Sequence, residues 1–77
     1  MANTPSPAYR RLAEDERRRL LIDATIAVLA EHGLAGTTVR RIAAEAGVTP
    51  GLVTHYFSGK AALVSAAYRA LAEQFHR

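Results

Sequence analysis

Few side chains in this 77-residue sequence could do chemistry, and most of those are suited to contact rather than catalysis. The absence of cysteine removes disulfides, thiolate metal sites and cysteine nucleophiles together. His32, His55 and His76 lie on different predicted helices with no carboxylate at ligand spacing, so neither a metal site nor an acid–base pair can be assembled around them. No cofactor and no enzymatic activity are expected. What remains is a group of cations, hydroxyls and small residues between positions 38 and 60, suited to gripping phosphates and touching base edges. Thr38 offers a hydroxyl and helix-terminal N–H groups to a phosphate, and Arg40 can reach a phosphate or fork onto a guanine edge. Gly51 lets backbone come close to a partner, Leu52 fits a thymine methyl, and Thr54 and His55 can read base edges. Tyr56 needs a polar partner for its hydroxyl, with a phosphate as the expected one. Lys60 stands at a predicted helix start, where the dipole gives a cation no local benefit, so it needs a partner elsewhere.

The elements that position these groups follow from periodicity. Residues 1–14 read as a flexible arm carrying Pro5 and Pro7, with good helix formers taking over from Ala13. In residues 20–30 (LLIDATIAVLA), Leu21, Ala24, Thr25 and Val28 form one stripe, with Ile22, Ile26 and Leu29 beside it. This predicts the most buried helix of the domain, closed by Glu31 and His32 and stopped by Gly33 in a left-handed conformation. Leu34, Ala35 and Gly36 read as a connector. Thr37 and Thr38 offer caps to a second helix that buries Val39, Ile42, Ala43 and Ala46 and stops at Gly47, with Val48 as a buried hinge. Thr49 and Pro50 are a cap and a first-turn proline, predicting a third helix from Pro50 to about Phe57 with Val53 and Phe57 inside. Ser58 can cap a fourth helix, where Leu63, Val64, Ala67, Leu71 and Phe75 make a seam near the heptad spacing. The run Arg17-Arg18-Arg19 and Arg41 read as solvated faces.

Two short helices joined around a glycine, the second polar on its outer side, form a helix-turn-helix pattern over about residues 38–57 (within TTVRRIAAEAGVTPGLVTHYF). The ordered set Gly33, Thr37-Thr38, Ile42-Ala43, Ala46-Gly47-Val48, Gly51, Tyr56-Phe57 and Lys60 resembles the DNA-binding domain of TetR-type transcriptional regulators, over about residues 15–75. LIDAT together with GLVTHYF looks most like the choline-responsive, BetI-like branch. The sequence departs from the usual pattern at Thr54, where a tyrosine is common, and at Ala61, where a glutamate usually completes a capping box.

The resemblance implies an all-α, homeodomain-like three-helix bundle with a fourth, linking helix. It also implies that the third helix, from Pro50 to Phe57, enters the major groove of double-stranded DNA, with Val39 and Pro50 joining the residues above at the interface. A repressor, cytoplasmic and bacterial and held at the nucleoid by DNA, is the implied role. In this family a larger domain binds a small effector and forms the homodimer. That domain is expected to lie outside these 77 residues, so no effector is expected to bind here.

Charge and core size fit this reading. Formal net charge is +3, and over residues 36–60 three cations face Glu45 alone, leaving +2. Few phosphate contacts per chain imply weak binding by one copy and a need for two copies on a pseudo-palindromic operator. Sixteen of the apolar residues are alanine and only 18 are Leu, Ile, Val or Phe, a thin core for an autonomous domain. No run approaches 18 apolar residues, and Pro5, Pro7, Glu14 and Asp15 interrupt the start, so no membrane partner and no signal peptide are expected. The competing expectation is a small helical protein-interaction module that binds a partner helix through the seam of Leu63, Ala67, Leu71 and Phe75.

Overall fold

The structure, a computed structural model, describes residues 7–75. Four helices occupy them: α1 (Pro7–Gly36), α2 (Val39–Ala46), α3 (Pro50–Tyr56) and α4 (Lys60–Phe75), with no strand among the described residues. The all-α class, the helix-turn-helix and the fourth helix are as the sequence predicts. α1 packs against α2 and α4, and α2 against α3. A 30-residue helix runs about 45 Å, which accounts for the 48 Å long dimension of a molecule only 18 Å thick.

One continuous cluster forms the core: Leu21, Ala24 and Val28 from α1, Ile42 and Ala43 from α2, Val53 from α3 and Leu63 from α4. Val39, Ala46, Val48, Tyr56 and Phe57 pack against it from the margins. Two buried hydroxyls are satisfied within their own helix or turn: Thr25 Oγ1 donates to the Leu21 carbonyl at 2.7 Å, and Thr37 Oγ1 to the Gly33 carbonyl at 2.8 Å. No buried side-chain polar atom among the described residues is left without a partner, as a core this small requires.

Several expectations are corrected. The flexible arm over residues 1–14 is helical from Pro7 onward, because a first-turn proline suits a helix start and Ala8–Arg19 contains almost only good helix formers. Residues 1–6 of that arm, and His76, lie outside the described residues. Tyr9 and Leu12 on this first stretch remain 62 % exposed, so nothing apolar in the sequence pattern announced it. α1 supplies more buried residues than any other helix, but only along one stripe: Ile22, Ile26 and Leu29 beside it are half-buried and Leu20 is exposed, because helices pack on only one side of it. Gly33 has the expected positive φ (72°) but an extended ψ (176°), so it breaks α1 rather than ending it, and one further turn runs to Gly36.

At the other end, the Leu63 N–H donates to the Gly59 carbonyl at 3.1 Å, which closes the first turn of α4 on Gly59 and leaves Ser58 one residue too far out to cap it. The α4 seam splits. Leu63, Val64 and Ala67 are buried in the domain's own core, Leu71 is half-buried, and Phe75 is 84 % exposed. A partner helix therefore has no continuous seam on α4 to engage.

Candidate nucleic-acid interface

α2 opens on Thr38, whose extended backbone and side chain make it the N-cap: Oγ1 accepts from the Arg41 N–H at 3.1 Å. Arg40, exposed, projects from this first turn. At its other end, Gly47 sits at φ 72°, ψ 31°. Its N–H donates to the Ala44 carbonyl (3.2 Å) and the Val48 N–H to the Ala43 carbonyl (3.0 Å), which is the paired closure of a Schellman turn. Val48 then packs on the core rather than disappearing into it: it is half-buried. This turn sets the angle at which α3 leaves α2.

α3 begins with a complete cap. Thr49 Oγ1 accepts from the Leu52 N–H at 3.2 Å, and Pro50 follows at the first helical position, where a missing N–H costs nothing. The inward side is fixed by Val53, which is fully buried, while Pro50, Gly51, Thr54 and His55 are exposed and Leu52 and Tyr56 lie at the margin. The Thr54 hydroxyl donates back to the Pro50 and Gly51 carbonyls at 3.3 and 3.2 Å. Its donor is consumed inside the helix, so what it presents outward is a lone pair and a methyl group. The His55 ring meets the edge of Tyr56, centroids 4.9 Å apart at 89°. The helix ends at Tyr56, with Phe57 extended (φ −132°, ψ 137°) and half-buried rather than helical.

Lys60 is the first residue of α4 and half-buried, lining an open apolar groove with Leu34, Ala61, Val64, Ser65 and Tyr68. Its stem can lie along that groove while the ammonium reaches solvent. The expected site residues thus fall into three places: Thr38, Val39 and Arg40 at the start of α2; Pro50, Gly51, Leu52, Thr54, His55 and Tyr56 along α3; Lys60 at the start of α4. Val39 is the least available, since it is half-buried and packed against the core.

Three residues read as solvated, Arg17, Arg18 and Arg41, are not merely that. Arg17 Nη1 donates to Tyr56 Oη at 3.1 Å, and Arg18 Nη1 to the Tyr56 carbonyl at 3.3 Å. The Arg18 guanidinium also lies 5.5 Å from the Tyr56 ring centroid and 5.7 Å from that of Phe57. The hydrogen bond to Tyr56 raises the pKa of Arg17 above its already high ordinary value, so its charge is permanent. The signal was present in the sequence as phase. Arg17 is one turn before Leu21 on the buried stripe, so its long side chain must point toward the elements that the stripe covers. Arg41, also read as solvated, places Nη1 3.0 Å from both ring nitrogens of His32, of which a neutral imidazole can accept with only one.

Comparison with known proteins agrees with the helix-turn-helix fold. The profile of bacterial regulatory proteins of the tetR family matches residues 21–67. The chain belongs to the TetR family. Among curated relatives, the HTH-type transcriptional regulator BetI 2 of Chromohalobacter salexigens is 52 % identical over 56 residues, covering 73 % of this chain and 27 % of the relative. BetI of Brucella canis is 47 % identical over 64 residues, covering 83 % and 32 %. A transcriptional regulator from Pseudomonas aeruginosa superposes with a TM-score of 0.73 at 50 % identity, over 78 % of this chain and 29 % of that one. The fatty acid degradation regulator FadR from Bacillus halodurans superposes with a TM-score of 0.71 at 27 % identity, over 95 % and 34 %. This chain therefore spans about a third or less of the length of these relatives. It is a transcriptional-regulator domain of helix-turn-helix type. Among the described residues no helix is long and apolar enough to cross a membrane, and no three His, Cys, Asp or Glu side chains group as metal ligands.

Proposed function

We propose that this chain binds double-stranded DNA sequence-specifically as the reading head of a TetR-type repressor, with α3 in the major groove and the starts of α2 and α4 on flanking phosphates. The observation that carries this reading is the contrast between the two sides of α3. Val53 is fully buried, while Gly51, Thr54 and His55 face out from a helix capped at its start by Thr49 and fixed in angle by the turn at Gly47. A seven-residue helix held this firmly, with a small polar outer face, suits a groove about 12 Å wide. Membership of the TetR family supports a homodimer on a pseudo-palindromic operator.

Selection of bound duplexes from a random pool at low salt tests this reading and returns the half-site. The expected result is enrichment of one motif; a pool that stays random overturns specific recognition. On the recovered duplex, Arg40→Ala is expected to cost roughly 1–3 kcal/mol at one base pair if Arg40 reads a guanine, or to weaken all sequences alike if it touches phosphate. Unchanged affinity for every duplex removes Arg40 from the interface.

A further inference from the structure

The DNA-facing residues expected from sequence all lie at or after position 38, yet the end of the recognition helix is held from 38 and 39 residues earlier. α3 has seven residues and too few turns to stand alone. Its last carbonyl, that of Tyr56, is met by Arg18, a cation at the negative end of the helix dipole. Beside this, Arg17 donates to the Tyr56 hydroxyl oxygen.

A phenol has one donor and two acceptor sites. With Arg17 feeding one lone pair, the Tyr56 proton is left to donate elsewhere, and no hydrogen bond among the described residues uses it. A cation donating into the oxygen also polarises the O–H and makes it a better donor. Arg17 has spent one of its five N–H groups on Tyr56. Glu14, one turn earlier, adds to the field at Arg17 but forms no ion pair with it. The pair thus presents a permanent planar cation and a polarised hydroxyl side by side, at the end of the helix proposed to lie in the groove.

We propose that Arg17 and Tyr56 form one phosphate clamp, in which a backbone phosphate of the duplex receives an N–H from Arg17 and the O–H of Tyr56 together. A phosphodiester fits the pair better than a neutral acceptor, because a guanidinium N–H and the phenol O–H can each meet one of its oxygens and the charge is compensated. Arg18 is a positioning residue that holds the Tyr56 backbone. The clamp makes the exposed early turns of α1 part of the DNA-binding surface, and it rests on the DNA-binding reading above.

Affinity of the chain for the selected duplex, measured by fluorescence anisotropy across a salt series, tests the clamp. Arg17→Gln is expected to weaken binding about fivefold to thirtyfold and to reduce the magnitude of the slope of log K against log salt by about 0.9. Tyr56→Phe, which removes no charge, is expected to weaken binding with the slope unchanged. The double variant is expected to be little worse than Arg17→Gln alone, since both groups serve one phosphate. Arg17→Lys keeps the charge, so it is expected to keep the slope and lose part of the affinity, which provides a reading even if the glutamine variant folds poorly. A wild-type slope in Arg17→Gln, or fully additive losses in the double variant, overturns the clamp while DNA binding stands. Failure of the wild-type chain to bind any duplex overturns the DNA-binding reading and the clamp with it.

Discussion

At the scale of single residues, the outer face of α3 is defined by what its groups have already spent. Thr54 directs its proton to the carbonyls of Pro50 and Gly51, so in this rotamer it is an acceptor, and an adenine or cytosine amino group is the base partner that would leave those bonds in place. Gly51 is more telling, because within the protein nothing requires a glycine there. A Cβ would meet only Thr49 Oγ1, at 3.9 Å, which is ordinary contact. Alanine is also the better helix former, so Gly51→Ala is expected to raise stability by about 0.5 kcal/mol and the melting temperature by about 2–4 °C. If DNA backbone or base edges approach Gly51 closely, the same methyl is expected to weaken duplex binding about tenfold or more, roughly the 1.4 kcal/mol of one lost decade. Melting and affinity measured on one variant should therefore move in opposite directions. Unchanged affinity removes Gly51 from the contact surface.

At the scale of elements, the rigid unit is α2, its turn and α3, and Val53 is the fully buried side chain that ties α3 to the core. Burying an isolated carboxylate at this position leaves it without water or a partner, which costs several kcal/mol, a large part of what a domain this small possesses. Val53→Asp is therefore expected to abolish cooperative thermal unfolding followed by circular dichroism, and DNA binding with it; a folded, DNA-competent variant would contradict the facing of α3. This facing was legible in the sequence because it rests on local rules: the stripe of Leu21, Ala24, Thr25 and Val28, the burial of Ile42 and Ala43, and the caps at Thr38 and Thr49. What was not legible depends on partners far away in the chain or on the lack of any. The Arg17–Tyr56 bond joins residues 39 apart, and a helical first stretch with exposed Tyr9 and Leu12 gives no apolar signature. Phe75 fitted the heptad spacing of α4, but the core ends before it, so spacing alone placed it inside where the structure leaves it outside.

At the scale of the whole molecule, charge is sparse for a polyanion binder, and this limits what one copy can do. If Arg17, as proposed above, Lys60 and Arg40 in its phosphate role each meet one phosphate, a single chain on a single half-site is expected to show a salt slope of about −3. Such a chain gains little by adding contacts and much by adding a second copy. Half-sites one helical turn apart have centres about 34–36 Å from one another, less than the 48 Å length of the domain, so two copies must stand side by side with their long axes turned away from the line joining the half-sites. A Gly/Ser linker has a root-mean-square span of about 5–6 Å times the square root of its length, so roughly 40 residues cover that separation. Two copies joined by such a linker are expected to bind a duplex carrying both half-sites about 10²- to 10⁴-fold more tightly than one copy does, through effective concentration alone. On a duplex with one half-site the linked pair should gain no more than the twofold that counting two heads gives, and its salt slope should stay near −3. On the double site the slope should approach −6, because twice as many phosphates are engaged. Equal affinity of linked and single chains for the double site, measured over the same salt series, would mean that two copies cannot occupy it together, and the pseudo-palindromic reading of the operator would fall.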